Sequence, residues 1–162
     1  MMKLAGKVII VTGGGIGIGR KTALLLAQQG ANVVITDIDV ENGKATVEEI
    51  LAQNGQAIFV SHNVNKTQDW KRVVEEAMKA YGTIDMLFNN AGLYQIRSVT
   101  DVAKDQWEDA MAIYLKGLFL EVKHLTSSTD KREESTVNDL PLAGLMREQQ
   151  QFFETAEPAV SI

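Results

Sequence analysis

The stretch Lys7–Thr22, KVIIVTGGGIGIGRKT, decides how this 162-residue chain folds. Val8–Val11 is an unbroken β-branched run with no polar alternation, as in a strand covered on both faces. Glycines at 13, 14, 15, 17 and 19 then turn the chain, and a helical run begins at Arg20. Outward from this unit, strand-like runs at Lys7–Thr12, Asn32–Thr36, Ala57–Val60 and Ile84–Phe88 alternate with helical periods as far as His124. In the third helical pattern Trp70, Val73, Val74, Ala77, Met78 and Tyr81 fall on one face, with Thr67 expected as N-cap and Gly82 as the stop. A longer pattern carries Trp107, Ala110, Met111, Tyr114, Leu115, Leu118, Phe119 and Val122 on one stripe, which predicts a helix burying that stripe, Tyr114 included, in the core. The alternation gives an α/β fold with a doubly wound parallel sheet, and the length gives a single domain over 1–162. From 125 to 162 the character changes. Both prolines, Pro141 and Pro158, lie there, beside polar runs and one strand-like piece, Ser135–Asn138. This segment reads as a diverged C-terminal part of the same domain.

Composition removes several kinds of chemistry. There is no cysteine, hence no disulfide, thiolate metal site or cysteine nucleophile, and reducing cytoplasm is the expected compartment. The only histidines are His62 and His124, too few and too far apart for a His-rich zinc site, and no metal site is expected. A formal net charge of -5 argues against a nucleic-acid surface. No apolar run is long enough for a signal peptide or a membrane span.

The glycine stretch sits between a strand and a helix, where backbone N–H groups approach a pyrophosphate and the helix start adds about half a positive charge. An acid follows where a dinucleotide's ribose would lie: Asp37, at the end of the second strand. A carboxylate there accepts the ribose hydroxyls of NAD and repels the 2′-phosphate of NADP. Charged hydrogen bonds of this kind are worth about 1.5–3 kcal/mol each. A nucleoside-triphosphate loop is the rival reading of Gly14–Thr22. It fails on register, because Arg20 separates the last glycine from Lys21.

These residues resemble the short-chain dehydrogenase/reductase family, NAD(P)-dependent oxidoreductases with a Rossmann fold. Thr12, Gly13, Gly17 and Gly19 match its cofactor loop, Asn89-Asn90-Ala91-Gly92 its second signature, and Asp37 its NAD-selecting acid. His62-Asn63-Val64 falls where the family has Asp-Val against the adenine, so Asn63 is a departure. The resemblance implies cofactor contacts from Thr12, Gly13, Gly15, Ile16, Gly17, Ile18, Gly19, Asp37, Ile38, Asn63, Val64, Asn90, Ala91 and Gly92. It also implies a sheet ordered 3-2-1-4-5 that lacks the family's last strands, and dimer contacts from the fourth and fifth helices that survive only in part. Past His124, Ser135–Asn138 and Leu142–Met146 resemble the fifth strand and the segment after the active-site serine. On that register the family's catalytic asparagine, serine, tyrosine and lysine fall on Tyr114, Pro141, Glu154 and Pro158.

Hydride transfer to or from an alcohol needs a group that moves the hydroxyl proton, and a tyrosine does so only beside a cation. Proline does neither. Tyr81, Tyr94 and Tyr114 have no lysine four residues on, and Glu154 is the one replacement able to carry a proton. Three readings stay open: an NAD(H)-binding Rossmann domain without its own catalysis, a working NAD-dependent oxidoreductase on a secondary alcohol or ketone, completed by Glu154 or a partner subunit, and an interaction protein that keeps the fold. The expected partners are a nicotinamide dinucleotide, a small alcohol or ketone, and a second subunit of the same or another kind.

Overall fold

The computed structural model describes residues 3–92, 101–125 and 135–138. In chain order these form β1 (Val8–Thr12), α1 (Gly17–Gln28), β2 (Asn32–Asp37), α2 (Val40–Ala52), β3 (Gln56–Ser61), α3 (Thr67–Tyr81), β4 (Met86–Asn89), α4 (Lys104–Met111), α5 (Gly117–Leu125) and β5 (Ser135–Asn138). The strands build one parallel sheet in the order β3-β2-β1-β4-β5. The expected α/β doubly wound sheet and its 3-2-1-4-5 order are therefore present, with β5 at one edge of the described sheet. Of the segment 125–162, only Leu125 and β5 lie within the described residues.

The unbroken apolar run of β1 follows from its central place. Val8 and Ile10 point into a cluster with Trp70, Val73, Val74, Ala77 and Leu120 from α3 and α5. Ile9 and Val11 point the other way, among Ala23, Ala27 and Ile50 from α1 and α2. Each buried aliphatic side chain contributes about 1.5–3 kcal/mol, so a polar residue in this strand would be costly on either face. Successive side chains alternate across the sheet, and both sides of this sheet are covered.

Several boundaries move from their expected positions for local reasons. β2 and β3 run on to Asp37 and Ser61 because these two residues still pair across the ladder. β4 begins at Met86 rather than Ile84. The Asp85 N–H bonds the Val8 carbonyl and the Asp85 carboxylate accepts from the Val8 N–H and Lys7, so a side chain takes the place of the ladder there. Thr67 is the first residue of α3 and Lys66 precedes it as the cap, with no side-chain cap. Gly82 ends the helix as expected, in the left-handed region at φ 76°, with its N–H on the Met78 carbonyl.

The long C-terminal helix departs most from expectation. Ala112–Lys116 is a π-helical turn between α4 and α5, which changes the phase of the helix face at that point. Beyond it, Gly117 and Leu120 turn inward, and Leu120 joins the core beside α3. Leu115 and Phe119 are exposed, and so is Trp107 on α4, which buries no residue. Of the stripe expected in the core, Trp107, Leu115 and Phe119 are thus outside it, and Ala110 and Met111 are partly buried. Tyr114 is half-buried within the π turn.

Candidate functional site

The C-terminal ends of β1, β2, β3 and β4 open into one crevice of about 540 Å3, within the size range of small-molecule sites. Its lower wall is the glycine turn, held from beneath. Thr12 Oγ1 accepts from the backbone N–H groups of Asn90 and Ala91, both at 3.0 Å. Asn90 Nδ2 donates in return to the carbonyls of Thr12 and Gly13, again at 3.0 Å. The two signatures, far apart in sequence, are therefore one hydrogen-bonded clasp between β1 and β4. Thr12 is buried and acts behind the surface of the crevice, while Gly13, Asn90, Ala91 and Gly92 line it.

Glycine is required where the turn meets the clasp. A Cβ on Gly19 would run into the Gly13 carbonyl and Asn90 Nδ2. Gly17 opens α1 at φ 56°, with nothing within 4 Å of a Cβ built on it. No side chain caps α1, and its first turn holds no acid. An uncapped helix start of this kind, approached by glycine backbone, suits an anion.

Asp37 holds the next wall. Its Oδ2 accepts from the Gly15 N–H at 2.9 Å and its Oδ1 from the Asp39 N–H at 3.0 Å. The carboxylate thereby staples the glycine turn to the end of β2. An ionised carboxylate has about four acceptor positions, so it retains capacity for a ligand. Gly15 stands behind this staple, and Gly15 and Gly19 shape the crevice without lining it. Asp39 caps α2 by accepting from Asn42, whose backbone and side-chain N–H groups hold the Asp39 carboxyl below its ordinary range. No lysine or arginine lines the crevice among the described residues. Arg20, next after the glycines, pairs with Glu49 outside it.

Apolar side chains complete the rim. Ile16, Ile18 and Ile38 line the crevice and are 62%, 64% and 73% exposed. Isoleucines left in water around a concave polar site are what a flat, partly apolar ligand would cover.

The far end is formed by residues 62–65 after β3. His62 is buried, its Nδ1 is 2.9 Å from Thr36 Oγ1, and its ring meets Trp70 edge-on at 4.3 Å. Its backbone N–H bonds the Asp37 carbonyl. Burial pulls the His62 imidazole down to about 4, against the Asp69 charge that favours protonation and with the Arg72 charge that opposes it. His62 is therefore a neutral structural group. Asn63 Oδ1 accepts from the Asn65 N–H, and the Asn63 N–H bonds Asp69 Oδ2. Burial favours the neutral Asp69 acid, but the Asn63 N–H and Arg72 outweigh it and hold the carboxyl below its ordinary range.

Of the residues implied by the resemblance, Gly13, Ile16, Gly17, Ile18, Asp37, Ile38, Asn63, Val64, Asn90, Ala91 and Gly92 all line this one crevice. His62, expected beside the adenine position, lines it as well, and so do Thr36, Asp39, Asn65 and Ile113, which were not foreseen. Asp39 was legible as the N-cap two residues past Asp37, whereas Ile113 arrives from the π turn without a motif. Pro141, Glu154 and Pro158 lie outside the described residues. No group of three or more His, Asp or Glu able to hold a metal occurs among the described residues, and no helix there is long and apolar enough to cross a membrane.

The chain is similar to known proteins in sequence and in fold. A family model described as short chain dehydrogenase matches residues 7–150. An uncharacterized oxidoreductase of Thermotoga maritima is 37% identical over 131 residues, which is 81% of this chain and 51% of that protein. A cyclohexanol dehydrogenase of an Acinetobacter strain is 34% identical over 146 residues, 89% of this chain and 58% of its own. Among solved structures, a citronellol catabolism dehydrogenase of Pseudomonas aeruginosa superposes with a TM-score of 0.77 at 33% identity, covering 85% of this chain and 56% of that one. The chain spans about half the length of the curated relatives it matches, 51% and 47% for two of them.

Proposed function

Because the chain belongs to the short-chain dehydrogenase family, we propose that its crevice binds a nicotinamide dinucleotide, and NAD(H) in preference to NADP(H). The observation that carries this reading is the Asp37 carboxylate, fixed at the end of β2 by two backbone N–H groups and facing a crevice lined by no cation among the described residues. A ribose diol matches its remaining acceptor positions. A 2′-phosphate would meet both Asp37 and Asp39. The uncapped start of α1 and the glycine turn suit the pyrophosphate, and the exposed isoleucines suit the flat ring systems at either end. When bound, the nicotinamide would supply a hydride acceptor or donor. The chain's own residues bind and orient it.

Calorimetric titration tests the reading. NADH should bind the purified chain about tenfold or more tightly than NADPH. Asp37→Ala should narrow that gap, and should weaken both ligands because the Gly15 N–H loses its acceptor. Equal binding of the two by the natural chain, or an unchanged gap in the variant, would overturn the assignment of Asp37.

We read the domain as lacking catalysis of its own. The family's four catalytic positions fall on Tyr114, Pro141, Glu154 and Pro158, and the two prolines cannot hold or move a proton. A second reading is favoured by the likeness to a cyclohexanol dehydrogenase and by Glu154, which can carry one. It is turnover of a secondary alcohol. Incubation with NAD and cyclohexanol decides between them. No NADH should form. NADH formation that is abolished by Glu154→Gln would establish the second reading instead.

A further inference from the structure

Resting on the dinucleotide reading, we propose that Thr46, a residue of α2 that does not line the crevice, is a positioning residue for cofactor choice. Acting through Gly15, it holds the Asp37 carboxylate where NAD(H) and NADP(H) are told apart. Thr46 is fully buried, and its hydroxyl lies 3.2 Å from the Gly15 carbonyl and 3.0 Å from the Asn42 carbonyl. A threonine hydroxyl has one proton to donate. The Asn42 carbonyl stands four residues back in α2, where helix geometry already gives it the Thr46 N–H. Gly15 is buried, and its carbonyl receives no other donor among the described residues. The proton therefore belongs on Gly15, because a buried carbonyl left without one costs more than a second bond to a helical carbonyl returns.

Gly15 is thus held at both ends. Its carbonyl is taken by Thr46, and its N–H by Asp37 Oδ2 at 2.9 Å. There is little slack between these bonds. A Cβ built on Gly15 would stand 2.9 Å from Asp37 Oδ2 and 3.1 Å from the Gly43 nitrogen of α2. The helix is itself seated, since Gly43 packs so closely on Phe59 that a Cβ there would enter the ring. Without the Thr46 hydroxyl, Gly15 turns to satisfy its carbonyl elsewhere and its N–H leaves Asp37. The carboxylate then keeps only the Asp39 N–H and loses its fixed aim at a ribose diol. The released Gly15 N–H becomes a donor that a 2′-phosphate can use. Both changes narrow the same preference.

The test titrates the full chain and its variants with NADH and with NADPH. It reads the ratio of the two affinities, which a merely structural role of Thr46 would not move. Thr46→Val removes the hydroxyl at nearly equal volume and should narrow the ratio by about threefold or more. Thr46→Ala should do the same, and serves if valine prevents folding. Thr46→Ser keeps the hydroxyl and should retain the natural ratio. In an Asp37→Ala background, Thr46→Val should leave the ratio where Asp37→Ala alone puts it, because the effect passes through the carboxylate. A ratio unmoved by loss of the hydroxyl overturns the proposal, and so does a serine variant that narrows it as far as valine does. Equal binding of NADH and NADPH by the natural chain, or binding of neither, removes the reading of Asp37 and this proposal with it. A natural preference that survives loss of the hydroxyl removes this proposal alone, so the two failures are distinguishable.

Discussion

Gly19→Ala is expected to weaken NADH binding by about a hundredfold or more and to destabilise the fold by about 2 kcal/mol. The new methyl would enter the Gly13 carbonyl and Asn90 Nδ2, which are bonded to each other at 3.0 Å. Neither is the loose end of a flexible chain. Gly13 is backbone, and Asn90 is locked through its own N–H to Thr12. Relief therefore requires the glycine turn to move away from β4. Overpacking of this kind costs about 1–3 kcal/mol, and the broken Asn90 bond adds to it. Alanine's better helix propensity returns about 1 kcal/mol. Moving the turn withdraws its backbone N–H groups from the ligand, and the loss of two charged hydrogen bonds of about 1.5 kcal/mol each is about a hundredfold in affinity. Gly17→Ala separates the two effects. Its Cβ meets nothing within 4 Å, so its stability cost is confined to the left-handed backbone, about 1–2 kcal/mol. Its methyl nonetheless stands at the opening of the crevice and should reduce binding. Urea unfolding and NADH titration of both variants check this. A Gly19→Ala protein of unchanged stability and affinity would remove the close-approach argument.

That argument could not be made from the glycine pattern alone. The sequence indicates where a strand meets a helix through flexible residues, and the buried runs Val8–Val11 and Asn32–Thr36 dictate a parallel sheet. Those features rest on local periodicity, which short-range chemistry controls. The clasp between Thr12 and Asn90 joins residues 78 apart. Each residue matched a motif, yet neither disclosed that it bonds the other. Asp37 illustrates the same limit. Its place at the end of β2 marks it as a ribose acceptor, but its staple to Gly15 emerges only when the turn folds back over the strand end. Trp107, Leu115 and Phe119 mark the opposite failure. Their spacing is a regular apolar stripe, yet Trp107 is exposed on α4, ahead of the π turn at Ala112–Lys116, and Leu115 and Phe119 are exposed within and beyond it. The pattern marks an apolar face, and it does not say whether that face meets the core; the wide turn changes the register only for the residues that follow it.

Acid should loosen the same site through His62, in a pH range above that in which Asp39 and Asp69 lose their charge. The imidazole is buried, and its folded value of about 4 lies below the ordinary 6.5. Between these values the unfolded chain binds a proton that the folded chain refuses. The stability from this group is therefore complete above pH 6.5 and is lost as pH falls toward 4, by about 3 kcal/mol. Asp39 and Asp69 likewise lose their contribution on acidification, but their carboxyls are held below 3.8, so that loss comes only at lower pH. The two windows barely overlap, and a loss measured between pH 6.5 and 4.5 belongs to the histidine. Urea unfolding across that interval should show the decline. His62→Asn, whose amide can still reach Thr36 Oγ1, should be less stable at pH 7 for want of the ring against Trp70, and should show almost no decline. A variant declining as steeply as the natural chain would take His62 out of the account. Because the His62 ring bonds Thr36, the neighbour of Asp37, and His62 itself precedes Asn63, NADH affinity should fall over the same interval as stability. The neutral ring supports the end of the crevice wall through Thr36 and Trp70, so protonation of that ring is expected to reach the ligand site by loosening that support.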